Sequence, residues 1–207
     1  MRIPGLLLLL AFGSAALLCG AEPTLLFIRE NGKYGYIDRD GKVVIAPRYE
    51  NTFGFREGLA AVRLDGKYGF IDTRGEMVIA PQFDFAYAFW EGLCAVRIGQ
   101  RFGYIDKAGK LVIPAQFEQA DRFSSGLAAA KVDGRFGYID PKGNWVVQPK
   151  YEKAPPFDGE ATQVHVDGKY IWLNRDGKEI YTFQNQAAPN QATQGQAAGS
   201  KHDHAHE

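Results

Sequence analysis

The stretch Gly32-Lys-Tyr-Gly-Tyr-Ile-Asp-Arg-Asp-Gly-Lys-Val-Val-Ile-Ala-Pro-Arg-Tyr-Glu-Asn-Thr-Phe-Gly-Phe-Arg-Glu-Gly-Leu-Ala-Ala-Val-Arg-Leu-Asp65 decides the fold, because it recurs. Gly35, Gly69, Gly103 and Gly137 stand 34 residues apart, as do Asp38, Asp72, Asp106 and Asp140, and Ile37, Ile71, Ile105 and Ile139. Aromatic columns keep the same step: Tyr36, Phe70, Tyr104, Tyr138 and Trp172, and Phe55, Phe89, Phe123 and Phe157. Several independent columns at one spacing define a tandem repeat. Within a unit, Lys33 to Asp38 alternates as a strand, with Tyr34 and Tyr36 on one face and Gly35 and Ile37 on the other. Asp38-Arg39-Asp40-Gly41 is a type I turn signature, and Lys42 to Ile45 returns as the second strand of a hairpin. Pro47, lacking an N–H, is expected to end that strand. Arg48 to Arg56 reads as a loop anchored by Tyr49, Phe53 and Phe55, and Glu57-Gly58 turns into a third strand, Leu59 to Leu64.

The expected class is therefore all-β: tandem hairpin-plus-strand repeats of about 34 residues in an open solenoid-like or propeller-like array. Complete units run over 32–65, 66–99, 100–133 and 134–167, flanked by half-units at 24–31 and 168–181, within a repeat domain of residues 22–183. The half-units either cap open edges or pair with each other and close a ring. The fourth unit drifts: Gln163 and His165 are expected to interrupt its third strand, and Ile171 stands where earlier hairpins use Gly.

The motif, Gly-Tyr-Ile-Asp-x-x-Gly-Lys-x-Val-Ile-x-Pro followed by Phe-x-x-Gly-Leu-Ala, resembles the WG-repeat family of bacterial proteins. Here Tyr34, Tyr68, Phe102 and Phe136 occupy the tryptophan position, and Tyr170-Ile171 loses the glycine as well. The resemblance implies a β-rich repeat scaffold that binds other molecules, without assigned catalysis and without functional residues to carry over.

Composition bounds the partner. The 207 residues carry 24 basic and 24 acidic side chains, a net charge of zero, which removes the electrostatic case for nucleic acid or an anionic membrane surface. Residues 1–21 have the pattern of a secretory signal peptide: Arg2, an apolar run from Leu6 to Leu18, and small residues Cys19 and Ala21 at the −3 and −1 positions of a cleavage site. The expected location is periplasmic or secreted, with a lipoprotein anchored through Cys19 as the alternative. The run is too short and wrongly flanked for a stable membrane span. Cleavage leaves Cys94 alone, at a position occupied elsewhere by Ala60 and Ala128, so it reads as core filler.

Chemistry is sparse. Beyond the leader the serines are Ser124, Ser125 and Ser200, none in a nucleophile-elbow context, and His165 is the only histidine within the repeats. The repeated aspartates are explained by their turns, and Gly32-Lys33-Tyr34-Gly35 lacks the Gly-Lys-Ser/Thr ending of a phosphate loop. The expectation is a protein that is not an enzyme. Two basic columns repeat: Lys33, Lys67, Arg101, Arg135 and Lys169, and Arg29, Arg63, Arg97, Lys131 and His165. They form either a rail for an acidic partner or cross-strand pairs with Glu50, Asp84, Glu118 and Glu152, the second being favoured because the charges balance. Trp90 replaces Arg56 and Ser124 in the loop and is the candidate exposed aromatic. The binding candidates are thus Trp90, Arg56, Arg63 and Arg97, on one face of a scaffold for a protein or envelope component. A carbohydrate-binding module using exposed aromatics is the alternative. Residues 184–207, poor in large apolar side chains, read as a disordered tail. Its His202, His204 and His206 offer weak binding to a divalent transition metal.

Overall fold

The computed structural model describes residues 24–157 and 159–183, all of whose regular elements are strands. They form five antiparallel sheets, each a meander in chain order. The first sheet joins β1 (Leu26–Glu30), β2 (Lys33–Ile37) and β3 (Val43–Tyr49). The second joins β4 (Asn51–Thr52), β5 (Leu59–Leu64), β6 (Lys67–Asp72) and β7 (Met77–Phe83). The third repeats this with β8 (Phe85–Ala86), β9 (Leu93–Ile98), β10 (Arg101–Asp106) and β11 (Leu111–Phe117). The fourth uses β12 (Gln119–Ala120), β13 (Ala128–Val132), β14 (Arg135–Ile139) and β15 (Trp145–Tyr151). The fifth has β16 (Ala161–Val166), β17 (Lys169–Asn174) and β18 (Glu179–Phe183).

The sheets straddle the sequence units. Each pairs the last strand of one unit with the hairpin of the next, so β1 and β17–β18 are completed by their neighbours and the half-units do not pair with each other. Two-residue turns such as Asp65-Gly66, both at positive φ, fuse the units. The Asp38 turn forms as its residues dictate: Asp38 Oδ1 accepts the N–H of Asp40 and Lys42 at 3.0 and 2.9 Å, and Gly41 N–H reaches Asp38 O. β16 runs unbroken through Gln163 and His165, whose side chains alternate with the buried Thr162 and Val164 and lie half-buried on the opposite face of the strand.

Pro47 does not end β3. The strand continues to Tyr49 through a bulge: Tyr34 faces Tyr49 and Tyr36 faces Ile45, two extra residues being accommodated opposite Gly35. A Cβ at Gly103, the equivalent in the third sheet, would meet Ile113 O at 2.5 Å and Ala115 N at 2.8 Å. The glycine is required because backbone occupies the space of a side chain. In the fifth sheet, where Ile171 takes this place, the register Tyr170↔Phe183, Ile171↔Thr182, Trp172↔Tyr181 runs without the shift.

Four apolar layers lie between successive sheets. The second layer sets Leu59, Ala61, Phe70 and Ile79 against Cys94, Val96 and Ile105. Cys94 is buried, as its column suggested, and burial raises its thiol pKa. The phenols of the buried aromatic column reach forward to pin the chain that enters the next sheet. Tyr36 OH donates to Phe53 O at 2.8 Å, Tyr104 OH to Asp121 O at 2.7 Å and Tyr138 OH to Pro155 O at 2.7 Å. In the second sheet Phe70 has no hydroxyl, and there Cys94 Sγ takes the acceptor, Tyr87 O, at 3.3 Å.

Gly103→Ala should destabilise by roughly 2–3 kcal/mol, since only backbone could yield, whereas Gly66→Ala, in open space but at positive φ, should cost about 1 kcal/mol. Urea unfolding measures both. Burial pushes the Tyr36 hydroxyl up to about 12, and drives Tyr104 and Tyr138 upward too. Their neutral forms are therefore favoured by folding. Stability should hold below pH 10 and fall as pH rises toward 12, by roughly 3 kcal/mol for Tyr36 alone. Tyrosinate absorbance should then rise together with loss of β circular dichroism, and Tyr36→Phe should reduce that alkaline loss.

Candidate functional site

The register sets the second basic column directly beside the aromatic residues that open each unit. Arg29 faces Tyr34, Arg63 faces Tyr68, Arg97 faces Phe102, Lys131 faces Phe136 and His165 faces Tyr170. Long basic stems lie along the rings: the Arg29 guanidinium is 5.4 Å from the Tyr34 centroid, and Lys131 Nζ is 5.3 Å from that of Phe136. The acidic column meets these bases where the chain crosses from one sheet to the next. Glu50 pairs with Arg63 at 3.6 Å, Asp84 with Lys67, Glu118 with Arg101 at 3.6 Å, and Glu152 with Arg135 at 3.1 Å and His165 at 2.8 Å. The hydrogen bond from Lys67 depresses the Asp84 carboxyl pKa, and that from Arg135 depresses Glu152. Half of the ten basic residues thus join a ladder of surface pairs, worth little each in stability.

Arg97 departs from the ladder. Like Arg29 and Lys131 of its column, it has no ion-pair partner within 4.0 Å among the described residues, since Lys67 holds the Asp84 carboxylate as Arg101 holds that of Glu118; what sets it apart is its place. Arg97 borders a cavity of about 510 Å³ walled by Tyr87, Phe102 and Phe136, with Glu118 and Asp121 on its rim. The rings continue a packed aromatic series: Phe85 lies 5.4 Å from Tyr68, 4.8 Å from Tyr87 and 6.5 Å from Phe102. Tyr87 remains 42% exposed, so its ring is both anchored and accessible. Partial burial, then the Asp121 charge, raises its phenol pKa against the opposing pull of Arg97. The cavity therefore offers aromatic walls, one unpaired guanidinium and a carboxylate, a set suited to holding a ligand by shape and charge.

The structure brings two of the four binding candidates together elsewhere. Trp90 is half-buried, and its indole carries the guanidinium of Arg56 at 4.7 Å and that of Arg122 at 4.6 Å. The ring is thus already engaged by two cations. Arg63 is engaged by Glu50, which leaves Arg97 as the candidate beside open space. Sequence reading missed Tyr87, Asp121 and Arg122 as site residues. A signal existed: Arg122 occupies the column of Gly54 and Ala88, and Asp121 that of Phe53 and Tyr87, each a sharp change of chemistry at one repeat. His202, His204 and His206, and Cys19 of the leader, lie outside the described residues. Among the described residues no cluster of three or more His, Cys, Asp or Glu is arranged to hold a metal. Nor is any helix there long and apolar enough to cross a membrane.

Similarly arranged sheets are found in β-propeller proteins. A eukaryotic initiation factor aligns with a TM-score of 0.58 at 11% identity, over 81% of this chain and 53% of that one. Hsv2 of Kluyveromyces lactis aligns at 0.51 and 11% identity, over 79% of this chain and 63% of that one. The chain thus spans between half and two thirds of the solved structures it matches, and at such identity the likeness is one of fold. The fold class is a propeller-like array of small antiparallel sheets. The chain belongs to the WG containing repeat family, which it matches over residues 34–68, 68–101, 102–136 and 136–170. Among curated proteins none matches the sequence.

In a Trp145→Phe, Trp172→Phe background, Arg56→Ala and Arg122→Ala should each red-shift Trp90 emission and increase its quenching by acrylamide. Each should cost about 0.5–1 kcal/mol in urea unfolding, and the cost should vanish in a Trp90→Leu protein.

Proposed function

We propose that this protein is an exported, non-catalytic scaffold that binds a protein or envelope component through one face of its repeats, centred on the Arg97 cavity. One observation carries the reading: Arg97, without an ion-pair partner among the described residues, borders a cavity walled by the exposed ring of Tyr87 and by Phe102 and Phe136. A guanidinium flanked by aromatic rings at a concave site is the composition of an interaction hot spot. The chemistry fits an extended peptide that sets an acidic side chain on Arg97 and an apolar or aromatic one against Tyr87, Phe102 and Phe136. Asp121 on the rim adds selection against a ligand acidic throughout. Export follows from the charged, apolar and small-residue order of residues 1–21.

In-cell crosslinking and mass spectrometry on the tagged full chain test this reading. Intact protein and Trp90→Ala should enrich the same protein partner, while Arg97→Ala and Tyr87→Ala should reduce its recovery about tenfold or more. Wall glycan enriched without a protein would transfer the site to the carbohydrate reading. Partner recovery lost only with Trp90→Ala would move the binding face to the Arg56–Trp90–Arg122 cluster. Cell fractionation tests export, with the processed chain expected outside the cytoplasm.

A further inference from the structure

The two outward faces of the array are unequal, and their difference is regular. In each interior layer the earlier sheet contributes a leucine and the later sheet a smaller residue: Leu25 with Ala60, Leu59 with Cys94, Leu93 with Ala128, Leu127 with Thr162. At the ends this assignment is reversed. The fifth sheet presents Ala161 at the leucine position, and the first presents Leu26 at the small position. Leu26 is 53% exposed where Ala60 is 1% exposed, and Ile28 and Ile37 are only half-buried where their counterparts Val62 and Ile71 are fully buried. On the fifth sheet Tyr181 is 59% exposed where Ile79 is 3%, with Trp172 half-buried. The sheets at the two ends do not pair with each other.

We infer that these end faces bind each other between copies of the chain, the fifth sheet of one molecule stacking on the first sheet of a second as consecutive sheets stack within one. The occupant follows from the interior layers. A face built on the pattern of Leu59, Ala61, Phe70 and Ile79 is covered everywhere else by one built on the pattern of Cys94, Val96 and Ile105. Setting Ala161 against Leu26 keeps one large and one small residue at that position, so the layer retains its volume. Gln163, where interior sheets carry Ala61, Ala95 and Ala129, keeps the fifth face wettable, so the contact is reversible and the free chain soluble. Because the two faces differ, the association is head-to-tail and leaves one end of each type open unless it closes on itself.

Sedimentation equilibrium on the full-length chain tests the inference. The wild type should exceed the one-chain mass increasingly with concentration. Leu26→Glu and Tyr181→Glu should each be monomeric alone, while their equimolar mixture should form a single pair through the one intact face of each. A wild type that stays monomeric at every concentration would overturn the proposal, as would self-association of Tyr181→Glu alone or a mixture that fails to pair. A second measurement does not depend on tolerance of glutamate. In a Cys19→Ser background, oxidised mixtures of Leu26→Cys and Ala161→Cys chains should crosslink to each other in preference to themselves. Equal crosslinking of like with like would refute head-to-tail stacking.

Discussion

The absent side chain at Gly35, Gly69, Gly103 and Gly137 is the constraint on which the array rests. With no Cβ there, the backbone of the outer strand bulges across the middle one, and two extra residues are taken up without breaking the strand. The bulge turns the end of that strand, so Tyr49, Phe83, Phe117 and Tyr151 are buried and the chain leaves toward the next sheet. From there the short strands at 51–52, 85–86 and 119–120 begin the succeeding sheet after a single residue. A backbone-to-backbone contact is a stringent constraint, because no rotamer change can relieve it. The fifth sheet is the internal control: Ile171 fills the space, and the shift across that position is missing, leaving only the one between Trp172 and Leu173.

The polar network follows this geometry. Residues 50, 84, 118 and 152 lie at the crossing between sheets, where a carboxylate can reach bases of two neighbouring strands and, at 50, 84 and 118, the N–H of a hairpin turn. The phenols at 36, 104 and 138 donate to carbonyls of the entering chain, sharing Phe53 O with the Thr52 hydroxyl and Pro155 O with that of Thr162. When one partner changes, another compensates, as Cys94 does opposite Phe70. Function has to be sought where this network is incomplete. Arg97 is such a place, since Asp84, the counterpart of the Glu50 that pairs with Arg63, is held by Lys67 of the preceding sheet, and Arg97 borders the aromatic cavity.

Periodicity made the columns legible, and with them the strands, the Asp turns, the buried Cys94 and the pairing of acidic with basic columns. Each of these is a local or one-repeat relation, recurring often enough to be read from spacing. The bulge was not legible, because Pro47 is compatible both with the end of a strand and with a kink in one. Trp90 was legible as an irregularity but not as a residue already held by two arginines, one of them 32 positions away and off the repeat. Tyr87 and Asp121 were passed over because the one column they share varies from unit to unit, and variation in a loop column does not say which side chains meet.

The sequence by itself determined the unit, its strand and turn chemistry, the balance of charge and the family, since all depend on residue types at fixed separations along the chain. Only the tertiary structure decided that sheets are built across unit boundaries, that no strand of the first sheet pairs with one of the fifth, and that Arg97 alone of the basic columns lines the aromatic cavity. Those outcomes depend on how successive sheets stack and which carboxylate reaches which base. Such competition among neighbours is settled by three-dimensional distance rather than by spacing in the chain.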